Sequence, residues 1–194
     1  MDVVLASTNA HKVAEFRRLF DDSTLRLRTP LEAGLTPLAV VEDGRTFAEN
    51  AAKKALAYLQ AYTMPVLADD SGISVDALAG APGIRSARFG GPRLDDAGRV
   101  AYLLEQLAAI PPRERGAHYT CALALAGPEQ PLLIVHGFLY GMVADAPVEG
   151  TTGFGYDPVF YLPGFDRTVS QITPEQKDET GHRGRAVRAF LHAL

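Results

Sequence analysis

The chain has almost no cysteine and no tryptophan at all. Of its 194 residues one is a cysteine, Cys121, and none is a tryptophan. A single cysteine excludes an internal disulfide, which agrees with a reducing compartment. We therefore expect a cytoplasmic protein.

The chain also lacks an excess of charge of one sign and any long apolar run. Its 19 basic and 23 acidic residues give a net charge of −4, whereas proteins that bind nucleic acids carry a basic surface. No apolar stretch reaches the roughly 20 residues that a membrane span requires, and the amino terminus does not resemble a signal peptide. We expect neither a nucleic-acid partner nor a membrane partner.

Two common phosphate-binding motifs are absent as well. Neither GxxxxGK nor GxGxxG occurs, which excludes a Walker-type loop and a dinucleotide fingerprint. The length suits a single domain, residues 1–194, with or without two lobes.

The order of apolar patterns indicates an α/β fold whose last part is antiparallel. The patterns predict strands at residues 3–6, 65–70, 118–126 and 132–143, and helices that carry residues 13–20, 46–62, 100–107 and 187–194. Residues 80–91 are rich in Gly, Pro and Arg and are predicted to be an ordered loop.

The most informative stretch is the acidic pair Asp69 and Asp70, which follows an apolar run. Side chains alternate along a strand, so the two carboxylates cannot both point into the core. If the strand ends at Asp70, the pair lies at the sheet edge where α/β proteins bind ligands. One interpretation is a metal ion held by carboxylate oxygen with phosphate behind it. The other is an Asp-Ser-Gly turn whose acids face water.

A polar turn between the first strand and the first helix is a second candidate. Backbone N–H groups, hydroxyls and Lys12 meet there, which suits a triphosphate; the alternative is a helix cap by Thr8 or Asn9 with a solvated lysine. On the second helix Lys54 could face phosphate or water, and Glu42 before it could share a metal with Asp70.

Two later segments could recognise a purine. Phe154 lies between two glycines and could stack on a base or pack in the core, while Asp157 could bind ribose or stabilise the loop. Lys177, His182 and Arg183 could donate to a purine carbonyl oxygen, or be ordinary surface and loop residues.

Taken together, these stretches resemble the inosine triphosphate pyrophosphatase family. The matching segments are residues 7–12, 42–55, 68–78, 80–89 and 153–158, followed by Lys177, His182 and Arg183. They occur in the family's order over nearly the whole chain. The resemblance implies an elongated, two-lobed α/β domain around a long mixed sheet with a central cleft, and a homodimer.

The resemblance also implies an activity and a role for each matching residue. The expected reaction hydrolyses ITP, dITP and XTP to the monophosphate and pyrophosphate, by attack of water on the α-phosphorus. Asp70 corresponds to the catalytic carboxylate and, with Glu42, to the ligands of Mg²⁺, for which Mn²⁺ is the alternative. The implied triphosphate site comprises Ser7, Thr8, Asn9, Ala10, His11, Lys12, Lys54 and Ser71. The implied base and sugar site comprises Phe154, Gly155, Tyr156, Asp157, Lys177, His182 and Arg183.

Some questions stay open at this stage. Either Asp69 or Asp70 could accept the proton from water. Gly181 stands where the family usually has serine, and Phe89 replaces a frequent tyrosine. The alternatives to a pyrophosphatase are a phosphatase that releases inorganic phosphate and a nucleotide-binding module without turnover.

Overall fold

A computed structural model describes all 194 residues, Met1–Leu194. The seven strands are β1 (Asp2–Leu5), β2 (Arg26–Arg28), β3 (Val66–Val75), β4 (Gly116–Gly127), β5 (Gln130–Val143), β6 (Phe160–Leu162) and β7 (Arg167–Thr168). The five α-helices are α1 (Ala10–Leu19), α2 (Phe47–Tyr62), α3 (Asp96–Gln106), α4 (Pro174–Thr180) and α5 (His182–Ala193). None of the helices is both long and apolar enough to span a membrane.

The strands form one mixed sheet in the order β2-β1-β3-β4-β5-β6-β7. β1 pairs in parallel with β2 and with β3, whereas β5–β6 and β6–β7 are antiparallel. The α/β fold with a mixed sheet and flanking helices, expected from the sequence, is confirmed.

The chain divides into two compact units. The first comprises Met1–Asp70, Cys121–Gly137 and His182–Leu194, and the second comprises Ser71–Thr120 and Phe138–Gly181.

The first unit buries its strands between helices on both faces. On one face Leu67 packs with Phe16 of α1 and Phe190 of α5. On the other face Val66 and Ala68 pack with the alanines of α2. Because side chains alternate along β3, Asp69 lies on the α1–α5 face and Asp70 on the α2 face.

The second unit has its own core, in which α3 packs on the sheet through Val100 and Leu103. The rings of Tyr119 and Phe160 stack in this core with centroids 4.4 Å apart.

Two predictions about chain path are wrong. β3 does not end at Asp70 but runs on to Val75, because Ile73 and Val75 are buried core residues. Gly72 is not a turn residue there: a side chain would collide with Ser86, whose Oγ accepts from the Ile73 N–H. Asp69 and Asp70 therefore lie within β3 and not at its end, so their predicted position at the strand end is wrong as well. Residues 80–91 are not only loop, since Gly83–Arg88 form a 3₁₀ helix.

Candidate active site

The turn after β1 contains the predicted helix cap. The Asn9 Oδ1 caps α1 by accepting from the N–H groups of His11 and Lys12, at 3.0 and 3.2 Å. Lys12, however, is not a solvated lysine, because its Nζ lies 2.7 Å from the Asp69 Oδ2. Thr8, Asn9, Ala10 and His11 are exposed and Ser7 is half-buried. The start of α1 is thus exposed, and Lys12 in its first turn is half-buried.

Asp69 is a buried ion-pair partner. Burial works to raise its pKa, but the charges of Lys12, Arg183 and Lys54 outweigh burial and lower the pKa to about 2. A carboxylate so strongly held in its ionised form is a poor proton acceptor.

Asp70, its neighbour in sequence, has the opposite electrostatic environment. Burial raises its pKa to about 6, and the negative charge of Glu42 acts in the same direction. The hydrogen bond from the Asn50 Nδ2 to the Asp70 Oδ2, 2.9 Å long, works against that rise. Asp70 is therefore a desolvated carboxylate with a like charge nearby.

Lys54 contacts both Asp69 and Glu42. Its Nζ donates to the backbone oxygen of Asp69 and lies 2.9 Å from the Glu42 Oε1. Burial works to lower its pKa, but the charges of Asp69 and Glu42 raise it overall. Of the two alternatives for Lys54, a role facing water does not agree with this position.

Asn50 is a site residue that the sequence analysis missed. It is fully buried, and its Oδ1 accepts from the Gly44 N–H at 2.8 Å while its Nδ2 holds Asp70. A side chain at Gly44 would come within 2.6 Å of that Oδ1, so the loop that carries Glu42 packs directly on α2. An asparagine beside Ala51 on the buried face of an alanine-rich helix was the available signal.

The arrangement fits a divalent cation. Glu42 and Asp70 supply hard oxygen ligands, and a cation would relieve both their repulsion and the desolvation of Asp70. No group of three or more His, Cys, Asp or Glu side chains forms a complete metal site. Mg²⁺ commonly uses one or two carboxylates and completes its shell with water and substrate phosphate.

A second cluster forms around Asp157 in the other unit. Its Oδ1 accepts from the Tyr119 hydroxyl at 3.0 Å, and its Oδ2 from the Phe154 N–H at 2.9 Å and the Lys177 Nζ at 2.8 Å. The Lys177 Nζ also lies 5.1 Å from the centroid of the Phe154 ring. Three of the predicted base-site residues are thus brought together.

The remaining predicted residues have different surroundings. Tyr156 is buried in the core of its unit, and its hydroxyl donates to the Ser86 carbonyl oxygen. His182 and Arg183 begin α5 and are buried. The Arg183 Nη1 lies 3.1 Å from the Glu15 Oε2, so Arg183 is not an ordinary surface charge. Ser71 is half-buried on β3.

The structure explains why glycine replaces serine at position 181. The Gly181 N–H donates to the Lys177 carbonyl oxygen at 2.8 Å. A side chain at Gly181 would collide with that same oxygen. The backbone here leaves no room for a serine side chain.

The fold and the first unit's site define an α/β protein with paired carboxylates, two half-buried lysines and a helix start, a set suited to a phosphorylated ligand. Residues 3–193 match the sequence model of the Ham1 family, and the chain belongs to that family.

Individual relatives extend this result. The chain is 44% identical over 186 residues to a dITP/XTP pyrophosphatase of Geobacillus kaustophilus, covering 96% of this chain and 90% of the relative. It is 44% identical over 191 residues to a dITP/XTP pyrophosphatase of Streptomyces coelicolor, covering 97% and 94%.

Solved structures agree. A HAM1 protein from Coxiella burnetii superposes with a TM-score of 0.89 at 38% identity, covering 100% of this chain and 98% of that one. The Ham1 protein of Staphylococcus aureus gives 0.86 at 36% identity, with coverage of 100% and 99%. The family resemblance inferred from the sequence is confirmed.

Proposed function

We propose that this chain hydrolyses non-standard purine nucleoside triphosphates, namely ITP, dITP and XTP, to the monophosphate and pyrophosphate. Relatives that carry the name dITP/XTP pyrophosphatase match almost its entire length. The observation that carries the proposal is the pair of adjacent carboxylates: Asp69 is bound to Lys12, and Asp70 lies near Glu42 with a pKa of about 6.

Nucleoside triphosphate pyrophosphatases are generally metal-dependent. Glu42 and Asp70 would hold Mg²⁺, or Mn²⁺ in its place. When bound, the metal supplies positive charge that neutralises phosphate oxygens and stabilises the leaving pyrophosphate.

The residues of the chain carry the other steps. Asp70 accepts the proton of the water whose oxygen bonds to the α-phosphorus while the α–β phosphoanhydride bond breaks. In the metal-free protein its pKa of about 6 still leaves this carboxylate largely ionised, and so able to accept a proton, at neutral pH. Lys12, Lys54 and the N–H groups at the start of α1 bind the phosphates, and Ser71 completes the triphosphate site that the family resemblance implies.

The second cluster supplies base recognition. The Phe154 ring stacks on the purine. Lys177, His182 or Arg183 donates to the oxygen at C6 of hypoxanthine or xanthine, as the family resemblance implies. Adenine has an amino group there, so a donor would face a donor, and an unpaired buried donor penalises ATP more than the loss of one contact.

Product analysis in ¹⁸O-labelled water tests this function. The purified protein with Mg²⁺ should convert ITP and XTP to monophosphate and pyrophosphate, with ¹⁸O in the monophosphate, and should turn over ATP far more slowly. Inorganic phosphate as the product would indicate the phosphatase instead. Equal turnover of ATP and ITP would contradict the proposed selectivity, and nucleotide binding without turnover would leave only a binding module.

We also propose that the protein is a cytoplasmic homodimer, as the family resemblance implies. The buried and unpaired Cys121 agrees with a reducing compartment. Sedimentation equilibrium at micromolar concentration should give twice the chain mass of 20.8 kDa.

A further inference from the structure

We propose that Asp96, at the start of α3, is a positioning residue for the loop of residues 153–157, here called the nucleobase loop. Its carboxylate holds the peptide that follows Phe154 and thereby orients the Phe154 ring. The inference rests on the proposed function, in which that ring contacts the purine.

Two carboxylates hold two consecutive N–H groups of this loop. The Phe154 N–H donates to the Asp157 Oδ2 and the Gly155 N–H donates to the Asp96 Oδ2, both at 2.9 Å. Asp157 is buried and belongs to the loop itself. Asp96 lies 59 residues away in sequence, so its bond ties the loop to α3, in addition to the bond from Lys177 of α4 to Asp157.

A hydrogen bond from outside the loop matters because the two glycines give the loop backbone wide conformational freedom. Gly153 and Gly155 have φ angles of +88° and +64°, in the left-handed region that glycine adopts most easily. Nothing lies within 4 Å of a side chain built at Gly155, so neighbouring atoms do not restrain that residue by packing. Movement of Gly155 away from α3 would also displace the Cα of Phe154 and the ring attached to it, and the bond to Asp96 opposes that movement.

α3 is a firm support for this contact. The Asp95 Oδ1 caps the helix by accepting from the Gly98 N–H at 2.8 Å, and Val100 and Leu103 anchor it in the core. The Arg99 Nη1, 3.6 Å from the Asp96 Oδ1, favours the rotamer that reaches the loop. The adjacent acids Asp95 and Asp96 therefore have different roles: Asp95 caps α3, and Asp96 binds the nucleobase loop.

This difference provides a matched experiment. Asp96→Ala should raise KM for ITP on the order of five-fold, the effect of one lost hydrogen bond, with kcat changed less than about two-fold. Asp96→Asn keeps an oxygen acceptor and should restore KM to within about two-fold of wild type. Asp95→Ala removes the cap and should lower Tm without raising KM.

Three outcomes would overturn the inference: a wild-type KM in Asp96→Ala, an Asn variant as impaired as the Ala variant, or an equal rise of KM in Asp95→Ala. The last would mean that general weakening of α3, and not the contact to Gly155, controls the loop. These outcomes leave the proposed function intact, because wild type still turns over ITP. Absence of ITP and XTP turnover in wild type would instead overturn the proposed function and the inference with it.

Discussion

Replacement of Asp70 by asparagine should abolish turnover and at the same time stabilise the protein at neutral pH. In the native state this carboxylate is buried and lies near Glu42, so its ionised form is disfavoured. Asparagine has nearly the same shape and can still accept from the Asn50 Nδ2. It would carry no charge into the buried position.

The size of the effect follows from the pKa. Burial raises the pKa of Asp70 from 3.8 to about 6, and a difference of about two pKa units corresponds to at most about 3 kcal/mol of unfolding free energy. For a chain of this length 1 kcal/mol shifts Tm by roughly 2–4 °C. Asp70→Asn should therefore raise Tm by several degrees at pH 7 in a metal-free buffer.

The dependence of this stability difference on pH shows whether the ionisation of Asp70 causes it. Because the native pKa of Asp70 lies above the unfolded one, the native state binds more protons between about pH 4 and pH 6. The contribution of Asp70 to the stability of wild type should fall as pH rises through that window and stay lowered above it. The advantage of Asp70→Asn should be largest above about pH 6 and disappear near pH 4.

Asp69→Asn is the matched control, with the opposite sign. Burial works to raise the pKa of Asp69, but Lys12 and its other cationic neighbours lower it to about 2. The ionised form therefore stabilises the native state above about pH 4, and this contribution is lost as pH falls toward 2. Asp69→Asn should lower the unfolding free energy at pH 7 by about 2–3 kcal/mol, and further if Lys12 remains buried without its partner.

Guanidinium unfolding in EDTA at several values between pH 4 and pH 7 measures both variants. The reasoning is refuted if Asp70→Asn is less stable than wild type at pH 7, or if its advantage does not change with pH. Equal effects of the two substitutions would also refute it, because the environments of the two acids would then be equivalent.

Two further predictions concern Asn50 in the first unit and Phe154 in the second. Asn50→Ala removes one buried hydrogen bond from the Gly44 N–H and one from Asp70, so it should cost about 2–4 kcal/mol of unfolding free energy and reduce turnover; a change below about 0.5 kcal/mol would contradict its role. Phe154→Ala should raise KM for ITP roughly ten-fold or more while Phe154→Tyr, which keeps the ring, should not; equal KM values in the two variants would argue against stacking.

Local patterns predict part of this structure well. The start of α2 is a clear case, since the Thr46 Oγ1 accepts from the Glu49 N–H as the spacing indicates. Thr173 caps α4 in the same way. In both cases the partner atoms lie three residues apart, and the pattern contains the whole interaction.

The same reasoning fails where partners are distant in sequence. Two acids followed by Ser-Gly are typical of a turn, but Lys12 reaches Asp69 from 57 residues away and Asn50 reaches Asp70 from 20. These partners make burial of the pair tolerable, and so β3 continues to Val75. No periodicity within the strand contains that information.

The continuation of β3 changes the meaning of the acidic pair. In a turn, Asp69 and Asp70 would be two similar solvated acids, able to exchange roles. Within a strand they are held on opposite faces, so different neighbours set their pKa values several units apart. Asp69 stabilises the fold as the partner of Lys12. Asp70 lowers the stability of the native state at neutral pH, and because proteins often sacrifice stability at functional sites, this cost supports the proposed catalytic role of Asp70.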